Sequence, residues 1–181
     1  RAVQLAEAAP ELAEILSGAR PLERLVAERH EEDKADVREG EAWPRRADVV
    51  YYDYERNTAV WAVVDLDAGR VDRVDTVPGA QLPFTAAETR RALDIILADP
   101  ELAARLGREY EQGIGEPLDA ERIDAAALIY FPPEGRESPA VPAGRCAASR
   151  CAQLLLSVGD MAFSPVPIVD LVAERVVTDG R

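Results

Sequence analysis

One short pattern occurs twice in this chain, and then a second pattern does the same. Ala8-Ala9-Pro10-Glu11-Leu12-Ala13 returns as Ala98-Asp99-Pro100-Glu101-Leu102-Ala103, with Ala2 matching Ala92 and Leu16 matching Leu106, all at an offset of 90 residues. Val64-Asp65-Leu66, followed by Ala68, Arg70 and Val71, returns as Val169-Asp170-Leu171, followed by Ala173, Arg175 and Val176, at an offset of 105. The order is the same both times. The 181 residues are therefore expected to be two related halves, with an insertion in the second absorbing the difference in offset. The boundaries read as residues 1–77 for the first half, 78–84 (Pro-Gly-Ala-Gln-Leu-Pro-Phe) as linker, and 85–181 for the second.

Each half opens with a helical pattern. Thr85-Ala-Ala-Glu88 is a capping box, so a helix is expected from about 86, with Leu93, Ile96 and Leu97 on one face. Pro100 suits the first turn of a second helix, where its missing donor costs nothing, and Leu102, Leu106 and Tyr110 continue the stripe. In the first half Val3, Leu5, Leu12, Ile15 and Leu16 play that part up to Gly18. Strand patterns follow at 21–29, 48–54, 59–66 and 70–76, the last three joined by short turns. The second half has counterparts at 123–131, 150–157, 165–171 and 174–178, with a Pro- and Gly-rich loop over 132–144. A helix followed by about four antiparallel strands buries one sheet face and leaves strand edges open, which gives an α+β fold.

Composition removes several functions. Thirty-four acids against 21 bases give a formal charge of −13, and no basic stripe opposes that field, so nucleic acid is not an expected partner. No run approaches the roughly 20 apolar residues of a membrane-spanning helix. The chain begins with Arg1 rather than Met and shows no signal peptide, so it is expected to start inside a longer precursor, with a removed leader as one explanation and a trimmed sequence as the other. Cys146 and Cys151 would lie about 17 Å apart on a straight strand, so pairing them requires a turn. A small-loop disulfide is expected if the protein is exported, and two reduced thiols if it is cytosolic.

The capping box at 85–88 and the unit Ala-Val-Val-Asp-Leu-Asp-Ala-Gly-Arg-Val at 62–71, with its second copy Pro-Ile-Val-Asp-Leu-Val-Ala-Glu-Arg-Val at 167–176, resemble the paired cystatin-like amino-terminal domains of copper amine oxidases. The likeness covers most of the chain, best over 85–178, and departs from the pattern where Glu174 stands against Gly69. It implies two cystatin-like repeats, each a helix packed on an antiparallel sheet, in an exported bacterial protein. It also implies an accessory role: the family's catalytic domain holds copper with three histidines and builds its redox cofactor from a Tyr in an Asn-Tyr-Asp/Glu context. This chain has one His, and Tyr51-Tyr52-Asp53-Tyr54 lacks the Asn. Neither catalytic residues nor a bound metal or cofactor are therefore expected. The Gln-x-Val-x-Gly loop of inhibitory cystatins does not occur, and Gln112-Gly-Ile-Gly115 only approaches it.

The remaining candidates are modest. His30 lies among Glu28, Glu31, Glu32 and Asp33, but neighbours along a strand or helix point apart and do not converge on one ion. Asp65 and Asp170 are expected to accept amide protons from the turns that follow them. Tyr51, Tyr52, Tyr54 and Trp61 are the candidate binding surface: alternation puts Tyr52 and Tyr54 on one sheet face and Tyr51 on the other, and an exposed set would suit a protein partner. No Gly-x-Ser-x-Gly or phosphate-binding glycine pattern is present. The expected function is a non-enzymatic exported binding or assembly module, with a protein partner or a homodimer formed through a sheet edge. The alternatives are an enzyme or metal-handling protein with a site in the groove between the repeats, and an inhibitor of a secreted hydrolase whose 132–144 loop forms a wedge.

Overall fold

The computed structural model describes residues 1–17, 22–32, 42–130, 146 and 149–178. The chain divides into two compact units, Arg1–Ala80 and Gln81–Arg181. Each pairs helices with an antiparallel sheet, so the fold is α+β.

In the first unit, helices α1 (Ala2–Ala8) and α2 (Pro10–Leu16) precede strands β1 (Glu23–Arg29), β2 (Arg46–Asp53), β3 (Thr58–Asp65) and β4 (Arg70–Pro78). The strands form a meander in the order β1-β2-β3-β4. Alternation sends Val49 and Tyr51 of β2 and Val60, Ala62 and Val64 of β3 into one core with Ala6 and Leu12 of the helices. Burying such side chains contributes on the order of 2 kcal/mol each, enough to hold two seven-residue helices that would not persist alone.

The second unit opens with α3 (Ala86–Ala98) and α4 (Pro100–Ile114), followed by β5 (Asp124–Ile129), β6 (Cys151–Val158), β7 (Met161–Ala162), β8 (Ile168–Asp170) and β9 (Arg175–Thr178). The sheet runs β5-β6-β8-β9, with β7 paired to β6. The capping box is complete: the Thr85 side chain accepts from the Glu88 amide, and the Glu88 carboxylate accepts from the Thr85 amide. Leu154 and Leu156 of β6 point inward, while Leu155 between them is exposed.

The stretches matched by sequence take matching local forms. Pro10 and Pro100 each occupy the first turn of a helix that follows an extended elbow residue, Ala9 and Asp99. Asp65 accepts from the amides of Asp67 and Ala68, and Asp170 from those of Val172 and Ala173. The register breaks between Val63 and Val64 in one unit and between Ile168 and Val169 in the other. Gly69, at φ +68°, has its counterpart in Glu174 at φ +50°. The turn therefore demands a left-handed residue at that point even where a side chain resists it.

One feature of the second unit had no sequence signature. Arg150 and Glu88 are both fully buried and form an ion pair. Arg150 Nε donates to Glu88 Oε1, and Nη2 donates to Oε2 at 2.9 Å. The same guanidinium donates to the carbonyls of Leu82 and Pro83 at 3.1 Å and lies 4.4 Å from the Phe84 ring centre. One cation thus ties the start of β6 to the first turn of α3 and the segment before it.

Two stability predictions follow from this geometry. Arg150→Ala leaves the Glu88 charge buried without its partner and is expected to cost about 3–5 kcal/mol, read as a lower urea midpoint. Gly69→Ala, which forces a Cβ into the left-handed region, is expected to cost about 1 kcal/mol in the same measurement.

Candidate functional site

The polar end of the first sheet holds the molecule's one imidazole. The His30 amide extends the β1–β2 ladder by donating to the Arg46 carbonyl at 3.1 Å. That places His30 Nδ1 2.8 Å from Asp48 Oδ1, and because a carboxylate only accepts, Nδ1–H is the donor. Arg46 beside it bridges Glu32 at 3.2 Å and Asp72 at 3.4 Å. His30 therefore meets an aspartate from the neighbouring strand rather than the acids adjacent to it in sequence. Glu32 is drawn instead to an arginine.

Trp43, half exposed, carries the Arg29 guanidinium 5.8 Å from its ring centre. The two residues line adjoining grooves. One, of about 580 Å³, includes Ala2, Ala27, Pro44, Ala47 and Leu66; the other, of about 660 Å³, includes His30, Glu31 and Glu32. A carboxylate-oriented imidazole in such a place can relay a proton or hold a polar ligand. No group of three His, Cys, Asp or Glu side chains is arranged to hold a metal ion among the described residues.

The candidate aromatic surface is not an exposed strip. Tyr51, Tyr52 and Tyr54 are all buried, and Trp61 is partly buried. Alternation does place them as expected. Tyr51 joins the helix-facing core and donates to Glu7 at 3.1 Å, and the Tyr52 and Tyr54 rings sit 4.9 Å apart. The opposite face of β2 and β3, with Val50, Tyr52, Ala59 and Val63, is buried too, which is why neither set of tyrosines shows. Tyr52 donates to Asn57 at 2.7 Å. Burial, and after it the Glu7 carboxylate, pushes the Tyr51 phenol up to about 12.

Cys146 and Cys151 form a disulfide with their Cα atoms 5.5 Å apart, Cys146 in a turn and Cys151 opening β6. The bridge packs with Ile168, Tyr130 and Val177. Ser149, inside the loop it closes, donates to Asp170 at 2.7 Å. The proposed wedge at 132–144 lies outside the described residues.

Several carboxylates are tuned by local hydrogen bonds. Burial alone would raise Asp53, but the amides of Arg56 and Glu55 and the Arg56 guanidinium at 2.8 Å outweigh it and hold the carboxyl below its usual range. The Ala68 amide, opposed in part by burial and aided by the Asp67 amide, does the same for Asp65. For Glu109, burial is outweighed by the side chain and amide of Ser164 and by Arg105.

No protein-family profile matches the sequence. Two curated proteins of Arthrobacter sp. (strain P1), a primary amine oxidase and a copper methylamine oxidase, are each 35% identical to it over 151 residues, or 76% of this chain. The chain is homologous to part of a copper amine oxidase. It spans only 23% of the length of those relatives. The crystal structure of a copper-containing benzylamine oxidase from Hansenula polymorpha superimposes with a TM-score of 0.56 over 98% of this chain and 28% of its own, at 12% identity. That likeness establishes the fold shared with the amine oxidase. The residues present do not fit a three-histidine copper site, since the sole imidazole is engaged by Asp48.

The depressed carboxyls fix the sign of acid sensitivity. Asp53, Asp65 and Glu109 bind protons less readily folded than unfolded, so their stabilisation is complete above the unfolded values near pH 4 and is lost as pH falls through the lower folded ones. Melting temperature is expected to fall from pH 5 toward pH 2.5. Asp53→Asn is expected to melt lower than the parent at pH 6 and to converge with it at pH 2.5.

Proposed function

We propose that this chain is a non-enzymatic accessory module of a copper amine oxidase-like protein, exported, and built to bind or assemble rather than to catalyse. The observation that carries this reading is the extent of the match: three quarters of the chain aligns with less than a quarter of each relative. The donor set agrees with it, because one histidine held by an aspartate cannot provide the ligands that the resemblance associates with catalysis. Export draws support from the Cys146–Cys151 disulfide, a bond favoured in oxidising compartments. No helix among the described residues is long and apolar enough to cross a membrane. The corresponding turns at Asp65 and Asp170 support descent of both units from one duplicated ancestor.

The test is direct. The 181-residue chain, equilibrated with Cu(II) in air, is assayed for hydrogen peroxide with methylamine and with benzylamine. The expected result is no amine-dependent peroxide above the metal-free control, together with unchanged melting after chelation. Sustained amine-dependent peroxide would overturn the reading.

A further inference from the structure

One carboxylate at the polar end of the first sheet is short of a donor. The Glu32 side chain is only 6% exposed, and its Oε2 accepts from Arg46 Nη1 at 3.2 Å, but Oε1 is buried with no hydrogen-bond partner. A charged oxygen left unmet in a protein interior is costly, so such an atom marks a place where a donor belongs. Arg46 is already shared with Asp72, at 3.4 Å.

Glu32 lines the groove of about 660 Å³ together with Arg29, His30, Glu31 and Trp43. What this groove offers a visitor is nearly all acceptor. Because His30 gives its Nδ1–H to Asp48, Nε2 carries a lone pair, and none of the described residues donates to it. Glu31 is exposed and brings a second carboxylate. Trp43, 50% exposed, adds the face of an indole, which attracts cations. That face already takes one: the Arg29 guanidinium lies 5.8 Å from the ring centre, and among the described residues it has no carboxylate partner to hold it there.

Acceptors beside an aromatic face select a particular kind of donor. An ammonium is a compact point charge, whereas a guanidinium is a flat fork of N–H groups that stacks on a ring while donating in its own plane. The adjoining groove, with Ala2, Ala27, Pro44, Ala47 and Leu66 among its walls, suits the aliphatic stem behind such a head group. Those walls are fixed by the backbone, since the His30 amide donates to the Arg46 carbonyl at 3.1 Å and the Leu66 amide to the Arg45 carbonyl at 2.8 Å. Charge points the same way. A chain of net charge −13 draws cationic partners, and the arginines beside the groove are matched, Arg46 by Glu32 and Asp72 and Arg45 by Asp67 at 3.3 Å.

We propose that the Trp43 groove receives an arginine side chain from a protein partner. The incoming guanidinium stacks on Trp43, donates to His30 Nε2 and Glu32 Oε1, and displaces Arg29 from the ring. This gives the partner's chemistry for the binding role proposed above and rests on it. The peroxide assay bears on catalysis alone, so the two can fail separately.

The test titrates three blocked tripeptides, Ala-Arg-Ala, Ala-Lys-Ala and Ala-citrulline-Ala, into the 181-residue chain up to about 20 mM, followed by nuclear magnetic resonance. The arginine peptide is expected to shift the Trp43 indole N–H with a Kd of about 1 mM, while the Trp61 indole on β3 stays in place. Lysine is expected to bind at least about threefold more weakly, and neutral citrulline at least about tenfold. Glu32→Gln and Trp43→Leu, the latter read from the His30 ring, are each expected to weaken the arginine peptide at least about tenfold with the far-ultraviolet circular dichroism unchanged. If Glu32→Gln does not fold, Trp43→Leu decides, because half of that ring lies outside the protein already. An arginine peptide that shifts nothing up to about 20 mM, one that binds no better than lysine, or one that binds Trp43→Leu as it binds the parent would overturn the proposal.

Discussion

The second unit is organised around a charge it has taken out of water. Moving a guanidinium into a dry interior costs several kcal/mol, and the molecule offsets that cost by surrounding Arg150 with a bidentate carboxylate, two carbonyls and an aromatic face. Glu88 is already committed to the cap of α3, so the ion pair and the helix start share one carboxylate. Neither forms at full strength without the other. The pair also sets where β6 begins, and through it the neighbours β5 and β8.

Much of the local structure was legible in the sequence. Thr85-Ala-Ala-Glu88, the prolines at 10 and 100, and the aspartates at 65 and 170 act within three or four residues of themselves, and each behaves as local stereochemistry requires. Strand alternation also sorted Tyr51 from Tyr52 and Tyr54. What could not be read is contact across distance. Arg150 finds Glu88 from 62 positions away, and His30 finds Asp48 from 18. Exposure failed for a related reason: alternation assigns a side chain to a face, but whether that face meets solvent depends on the rest of the chain, and both faces of β2 are buried. β7 is too short to leave a pattern.

The same division explains why family likeness outran functional inference. Short self-contained motifs survive divergence because each needs few partners, so a likeness can be recognised in a chain that shares only 12% of its residues with a solved amine oxidase. Those motifs describe turns and caps. They say how a backbone is bent and carry no reaction with them.

The bridge between Cys146 and Cys151 closes a very small ring. Because its two sulfurs are neighbours in sequence, their encounter needs no long-range order, and oxidation can precede the assembly of the unit. The residue just inside the second cysteine is Arg150. Tying the two cysteines together narrows the positions open to that cation in the unfolded chain, and with them the search for Glu88, the deepest contact in the unit.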